Sequence, residues 1–90
     1  MEFEWDPYKS KINLSKHGVS FSEAMPVFRD ELSVTNVDPD HSDDEDRYIT
    51  MGESSNGQLL MVSHTDRDDQ IRIISARRAK RGERKAYENG

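Results

Sequence analysis

Residues 71–90, IRIISARRAKRGERKAYENG, gather seven basic side chains against two acidic ones, in a chain whose formal net charge is −5. Arg77 and Arg78 are adjacent at the end of a strand-like run. Lys80, Arg81, Arg84 and Lys85 follow in a stretch of helical character. A guanidinium fork matches two phosphate oxygens at once, so arginines held at a strand end are suited to grip a phosphodiester. An unperturbed imidazole titrates near neutrality, so each of the histidines, His17, His41 and His64, could serve as acid or base. Their separations match no metal-ligand spacing, so a structural or surface role is the simpler reading of each. His17 and His64 stand out because both fall at element ends, where sites are built. Tyr87 lies among the bases and could stack a nucleobase, whereas Trp5, Tyr8 and Tyr48 read as packing. The plainer view of the basic cluster is a solvated helix face balanced by Glu83 and Glu88.

A second charged stretch has the opposite sign. Residues 38–46, DPDHSDDED, hold six acids and neither lysine nor arginine. Asp38, Asp40 and Ser42 alternate as calcium ligands do in an EF-hand, but that pattern needs glycine at its sixth place and glutamate at its twelfth. Those places hold Asp43 and Ile49. A solvated loop, or a docking surface for a basic partner, fits the run better. No metal or other cofactor is expected: the sequence has no glycine-rich phosphate loop, nucleophile elbow or zinc histidine pair.

These groups must be positioned by a small body. Ninety residues suffice for one domain, 1–90. Val, Ile, Leu and Phe supply only 17 of them, close to the level at which chains stay disordered, so a stabilising partner is plausible. The absence of cysteine excludes disulfides and thiolate metal sites. The amino terminus does not resemble a signal peptide, and no run approaches the roughly 20 apolar residues of a membrane helix. A soluble, cytoplasmic protein is expected.

Local patterning supplies the elements. EFEW alternates as a short strand. Asp6-Pro7 starts a helix that Gly18 ends, and Ser20 with Glu23 forms a capping box for a second. Phe21, Ala24, Met25 and Phe28 give that second helix a buried stripe, and Pro26 makes it short or kinked. From residue 32 the period becomes two. LSVTNV (32–37), RYITMGE (47–53), QLLMVSHT (58–65) and QIRIISA (70–76) read as four strands in an antiparallel meander, with Asn56-Gly57 marking a hairpin. Strict alternation sends Ile71, Ile73, Ser75 and Arg77 to one face, and Arg72, Ile74, Ala76 and Arg78 to the other. The last helix has a poor start, with Gly82 in its first turn and no Ser, Thr, Asn or Asp cap. The fold class expected is α+β: a short N-terminal strand, two N-terminal helices on a four-stranded meander, and a basic C-terminal helix.

Three stretches, FEWDPYKSKINLSKHGVSFSEAMPVF (3–28), DPDHSDDEDRYITMGESSNGQLLMVSHT (38–65) and IRIISARRAKRGERKAYENG (71–90), resemble the BrnT family of type II toxins, small relatives of the RelE-like ribonucleases. KHGVSF and IRIISARRA, in this order and at this separation, make the likeness specific. It departs from the family at Glu31, Gln58, Pro26 and Lys80-Arg81-Gly82. The resemblance implies a RelE-like fold, metal-independent RNA cleavage and translation arrest. It also implies a BrnA-like, ribbon-helix-helix antitoxin. That antitoxin would neutralise the toxin, reach operator DNA on its behalf and hold it in a heterotetramer built on an antitoxin dimer.

The resemblance carries His17, Arg77 and Arg78 over as site positions, with Arg84 and Tyr87 on the last helix. Cleavage through the 2′-hydroxyl needs a base, an acid and fixed positive charge at phosphorus. The charge is expected from Arg77 and Arg78. Arg67, Arg72, Lys80, Arg81, Arg84, Lys85 and Tyr87 would hold the strand, and His17 or His64 would move protons. The alternative is a non-catalytic module whose basic patch docks nucleic acid or an acidic partner segment.

Overall fold

The computed structural model describes residues 1–40 and 46–89. Its elements are β1 (Glu2–Glu4), α1 (Pro7–His17), α2 (Phe21–Ala24) with a 3-10 turn over Met25–Arg29, β2 (Val34–Val37), β3 (Arg47–Glu53), β4 (Leu59–Arg67), β5 (Gln70–Arg78) and α3 (Arg81–Asn89). The strands form one sheet in the order β1-β5-β4-β3-β2. β2 to β5 pair antiparallel in succession, while β1 lies parallel to β5. The sheet is therefore mixed and five-stranded. The expected meander is extended by the N-terminal strand, which lies on the outer edge of β5, while α1 and α2 carry the chain across the sheet to β2 at the opposite edge.

Each start and stop has a local cause. Asp6 accepts the Tyr8 N–H at 2.9 Å, Pro7 opens α1, and Gly18 closes it at φ 71°. Ser20 caps α2 through the Glu23 N–H. Pro26 cannot donate to the next helical bond, and the chain tightens into the 3-10 turn there. Glu23 does not complete a capping box; its carboxylate accepts from the Ser54 hydroxyl at 3.2 Å.

Val19, Phe21, Ala24 and Val27 pack on Leu60, Val62, Ile73 and Ala76 to form the core. Gly52 lets the 3-10 turn approach β3, since a Cβ there would stand 2.9 Å from the Val27 carbonyl oxygen. Among the described residues no helix is long and apolar enough to cross a membrane.

Strict alternation fails once, on β5. His64 of β4 faces Ile73 while its neighbour Ser63 faces Ser75, so Ile74 is an extra residue in a bulge. The bulge puts Ile73 with Ala76 on the core face, and Ser75 with Arg77 on the opposite face. The grouping of Ile73 with Ser75 and Arg77 is corrected accordingly.

α1 docks in an unusual way, for its one buried side chain is the polar Asn13. Beyond Arg72, β1 no longer covers the edge of β5. Asn13 takes over there. Its Nδ2 donates to the Ala76 and Val19 carbonyls, both at 2.8 Å, and its Oδ1 accepts the Ala76 N–H at 3.2 Å. The amide thus stands in for a neighbouring strand on the exposed part of the edge.

Candidate functional site

His17 and Asn13 are one turn apart on the same side of α1, so the tether that seats Asn13 on β5 also delivers His17 to the sheet. His17 lines a groove of about 250 Å³ with Arg77, Ser75, Ser63, Met61, Ile49, Asp38 and Asp40. The sheet residues follow from register: Ser63 pairs with Ser75 and Met61 with Arg77, on the face away from the core. Two serines at mid-sheet leave room that larger side chains would fill. An imidazole, a guanidinium, two hydroxyls and two carboxylates converge there. Such a set can move a proton and stabilise a phosphate.

The fork of Arg77 is already engaged. Its two terminal nitrogens donate to the two carboxylate oxygens of Glu83, each at 2.8 Å, and one also reaches the Arg78 carbonyl at 3.2 Å. The guanidinium holds the Glu83 carboxyl down to about 2, helped by the Lys80 N–H, and the carboxylate in turn raises Arg77. That Lys80 N–H, accepted by Glu83 at 2.7 Å, is the capping bond of α3. A glutamate three residues after the cap position was legible in KRGE as half a capping box, and it supplies the start that the segment otherwise lacks.

α3 buries no residue. Its second anchor is Tyr87, whose hydroxyl donates to Asp30 in a very short hydrogen bond. Asp30 raises the phenol to about 12. Burial works against the Asp30 charge, but bonds from Tyr87, Leu32 and Glu53 overcome it and lower the carboxyl. Tyr87 is therefore a latch for α3, with its hydroxyl occupied.

Arg77 and Arg78 do not form one grip. Adjacent residues of a strand point to opposite faces, and Arg78, opposite Leu60, belongs to the core face. There its Nε donates to Gln58 at 3.2 Å, and with Arg84 it lines a separate hollow of about 270 Å³. Arg84 lies 3.9 Å from Glu88. Arg72 pairs with Glu4 at 3.5 Å across the β1–β5 edge. Arg67 ends β4 at the opposite end of the sheet from Arg77. Lys80, Arg81 and Lys85 are exposed on or beside α3. His41 and most of the run read against the calcium pattern lie outside the described residues. Asp38, Asp40, Ser63 and Ser75 were not expected at the site. The serines carried a signal, since each interrupts an apolar run on a pleat position.

His64 is not in the groove. It is 3 % exposed on the core face, against the ring of Phe28 at 4.9 Å and stacked on Tyr48. The Asp66 carboxylate can only accept, so His64 donates Nδ1–H to it at 3.0 Å. Its Nε2 then accepts the Thr50 hydroxyl at 2.7 Å, and Thr50 accepts from Thr35 at 2.7 Å. Burial lowers the His64 pKa, only partly offset by Asp66.

Acid should therefore weaken the fold in two stages. A buried neutral imidazole costs nothing above the unfolded value of about 6.5; below it the unfolded chain binds the extra proton, so stability falls as pH drops. Glu83 acts further down: its contribution is intact above about 4.5 and fades as pH falls towards about 2. Urea midpoints against pH should show both stages, and His64→Gln should remove only the upper one.

The family model for the ribonuclease toxin BrnT of type II toxin–antitoxin systems matches residues 5–83. Among solved structures, the Brucella abortus ribonuclease toxin BrnT superposes with a TM-score of 0.68 at 27% identity, over 90% of this chain and 99% of that one. No curated protein matches the sequence. With a family match from Trp5 to Glu83 and a shared fold, the chain belongs to the BrnT family of type II ribonuclease toxins, a class that works with an antitoxin partner.

Proposed function

We propose that the chain cleaves RNA without a metal, in the groove between the end of α1 and the far face of β3–β5, and arrests translation when its antitoxin is absent. The observation that carries this reading is the convergence of His17, Arg77, Ser63 and Ser75 on one concavity. The RNA's own 2′-hydroxyl attacks phosphorus and the bond from phosphorus to the 5′-oxygen breaks; His17 takes the 2′-hydroxyl proton, water supplies the proton for the leaving 5′-oxygen, and Arg77 neutralises the charge that builds on the non-bridging oxygens. Ser63 and Ser75 donate to the same phosphate. Arg78 and Arg84, in their own hollow, hold the flanking strand. The partner is a BrnA-like antitoxin of ribbon-helix-helix type, and the single domain 1–90 acts in the cytoplasm.

The test is incubation of purified protein with messenger RNA in excess chelator. Cuts ending in a 2′,3′-cyclic phosphate are expected, and His17→Gln should slow them about 10²-fold. One observation favours a non-catalytic docking module instead, namely that Glu83 already fills the fork of Arg77. Intact RNA under these conditions, together with tight binding, would establish that second reading.

A further inference from the structure

The two edges of the sheet are treated differently. On the β1 side the edge strand is three residues long and carries Glu2 and Glu4, and further along β5 Asn13 caps both backbone groups of Ala76. Short charged edges and capped backbone are how proteins prevent a further strand from adding. On the other side, β2 reads VTNV, with all four residues exposed. It contains no lysine, proline or bulge. Val37 is 60% exposed, Val34 36%, and Leu32 just before them 67%.

The register identifies which backbone groups face outward. Asp38 donates its N–H to the Arg47 carbonyl at 2.8 Å, so the pair one step back, Val37 with Tyr48, is not hydrogen-bonded, and Asn36 with Ile49 is. Thr35 with Thr50 is again an unbonded pair, consistent with the close approach of their hydroxyls. The N–H and C=O groups of Thr35 and Val37 therefore point away from β3, along the open edge.

Charge decides what fits. Glu31 precedes the strand, Asp40 follows it, and the chain then runs into the rest of an acidic stretch; Arg29 and Arg47 are the bases close by. A second copy, paired antiparallel about a two-fold axis, would bring the Glu31 end of each β2 to the Asp38–Asp40 end of the other. Like charges would meet at both ends. We propose that the β2 edge receives an extended segment of another protein, with alternating apolar and basic residues, as a sixth strand of the sheet. Its backbone bonds Thr35 and Val37, its apolar side chains lie beside Val37 on that residue's face of the sheet, and its bases meet the acids at either end. This goes beyond the ribonuclease reading and does not depend on it.

The probe is a synthetic peptide of alternating valine and lysine, and the readout is amide hydrogen exchange of the intact chain. Exchange at Thr35 and Val37 should slow when the peptide is added, while β4 amides stay unchanged. Val37→Pro should abolish the effect. It removes an outward N–H that bonds nothing within the fold, at an edge position where proline is tolerated, and unchanged β4 protection verifies that the variant is folded. A peptide with glutamate in place of lysine should have no effect. Protection that is missing at these two amides, survives in Val37→Pro or is equal with the glutamate peptide overturns the proposal. So does protection that grows with protein concentration alone, which would make a second copy the occupant.

Discussion

Arg77→Ala is expected to lower kcat/KM for RNA cleavage about 10³-fold, the scale seen when an arginine that stabilises a transferring phosphoryl group is removed. Arg78→Ala should change it only a few-fold. The neighbours differ because the pleat sends them to opposite faces, and only Arg77 borders the groove that holds His17. Glu83 adds a change of opposite sign. Its carboxylate presents two oxygens to the Arg77 fork, as a phosphate would. RNA must therefore displace it or share the guanidinium with it. Glu83→Gln keeps an oxygen for the Lys80 N–H that caps α3 but removes the charge that holds the fork. The variant should bind RNA more tightly, seen as a lower KM, with α3 still helical by circular dichroism. Arg77→Lys should not restore the rate, because an ammonium cannot span two phosphate oxygens. Equal losses in the two alanine variants would remove the distinction between the neighbours, and a loss of only a few-fold in Arg77→Ala would remove Arg77 from the site.

Much of the fold could be read from short-range chemistry. Asp6-Pro7, Gly18 and Ser20 bound the helices through bonds that involve only nearby residues. Pro26 shortens α2 as its missing N–H requires. The features that escaped depend on distant partners. Nothing in EFE says that it pairs parallel with residues 70–72, since its partner is the last strand of the sheet in chain order. The bulge at Ile74 leaves three apolar or small residues in a row looking regular, and only the pairing with β4 shows the slip. His64 reads as a strand-end histidine of structural or surface role, and nothing nearby in sequence says that Phe28, 36 residues earlier, is folded against it. The site divides in the same way. His17 and Arg77 were legible as residue types suited to the chemistry, and the separation of Arg77 from Arg78 followed from the pleat. That Glu83 would occupy the fork, and that Asp38 would line the groove, required the tertiary structure.

Asn13 shows how one buried amide can control both stability and the site. Asn13→Leu is close in size but strips partners from three buried backbone groups: the Ala76 N–H, the Ala76 carbonyl and the Val19 carbonyl. An orphaned buried group costs about 1–3 kcal/mol. Some water will reach a sheet edge, so a loss of about 4 kcal/mol is expected, a large share of the roughly 5–15 kcal/mol that a small domain has. Asn13→Asp should fare no better, since it keeps an acceptor for one N–H but turns a negative charge on two carbonyls. Urea denaturation measures this part. The activity measurement separates a tether from a mere contributor to stability. Under conditions where the leucine variant is folded, Arg77 remains on its own strand and substrate still binds, so KM should hold. His17 lies on the turn after the lost tether, so kcat should fall, and with it the limb of the pH profile that a catalytic imidazole produces. A variant that loses stability but keeps kcat and both limbs would show that His17 reaches the groove without help from Asn13.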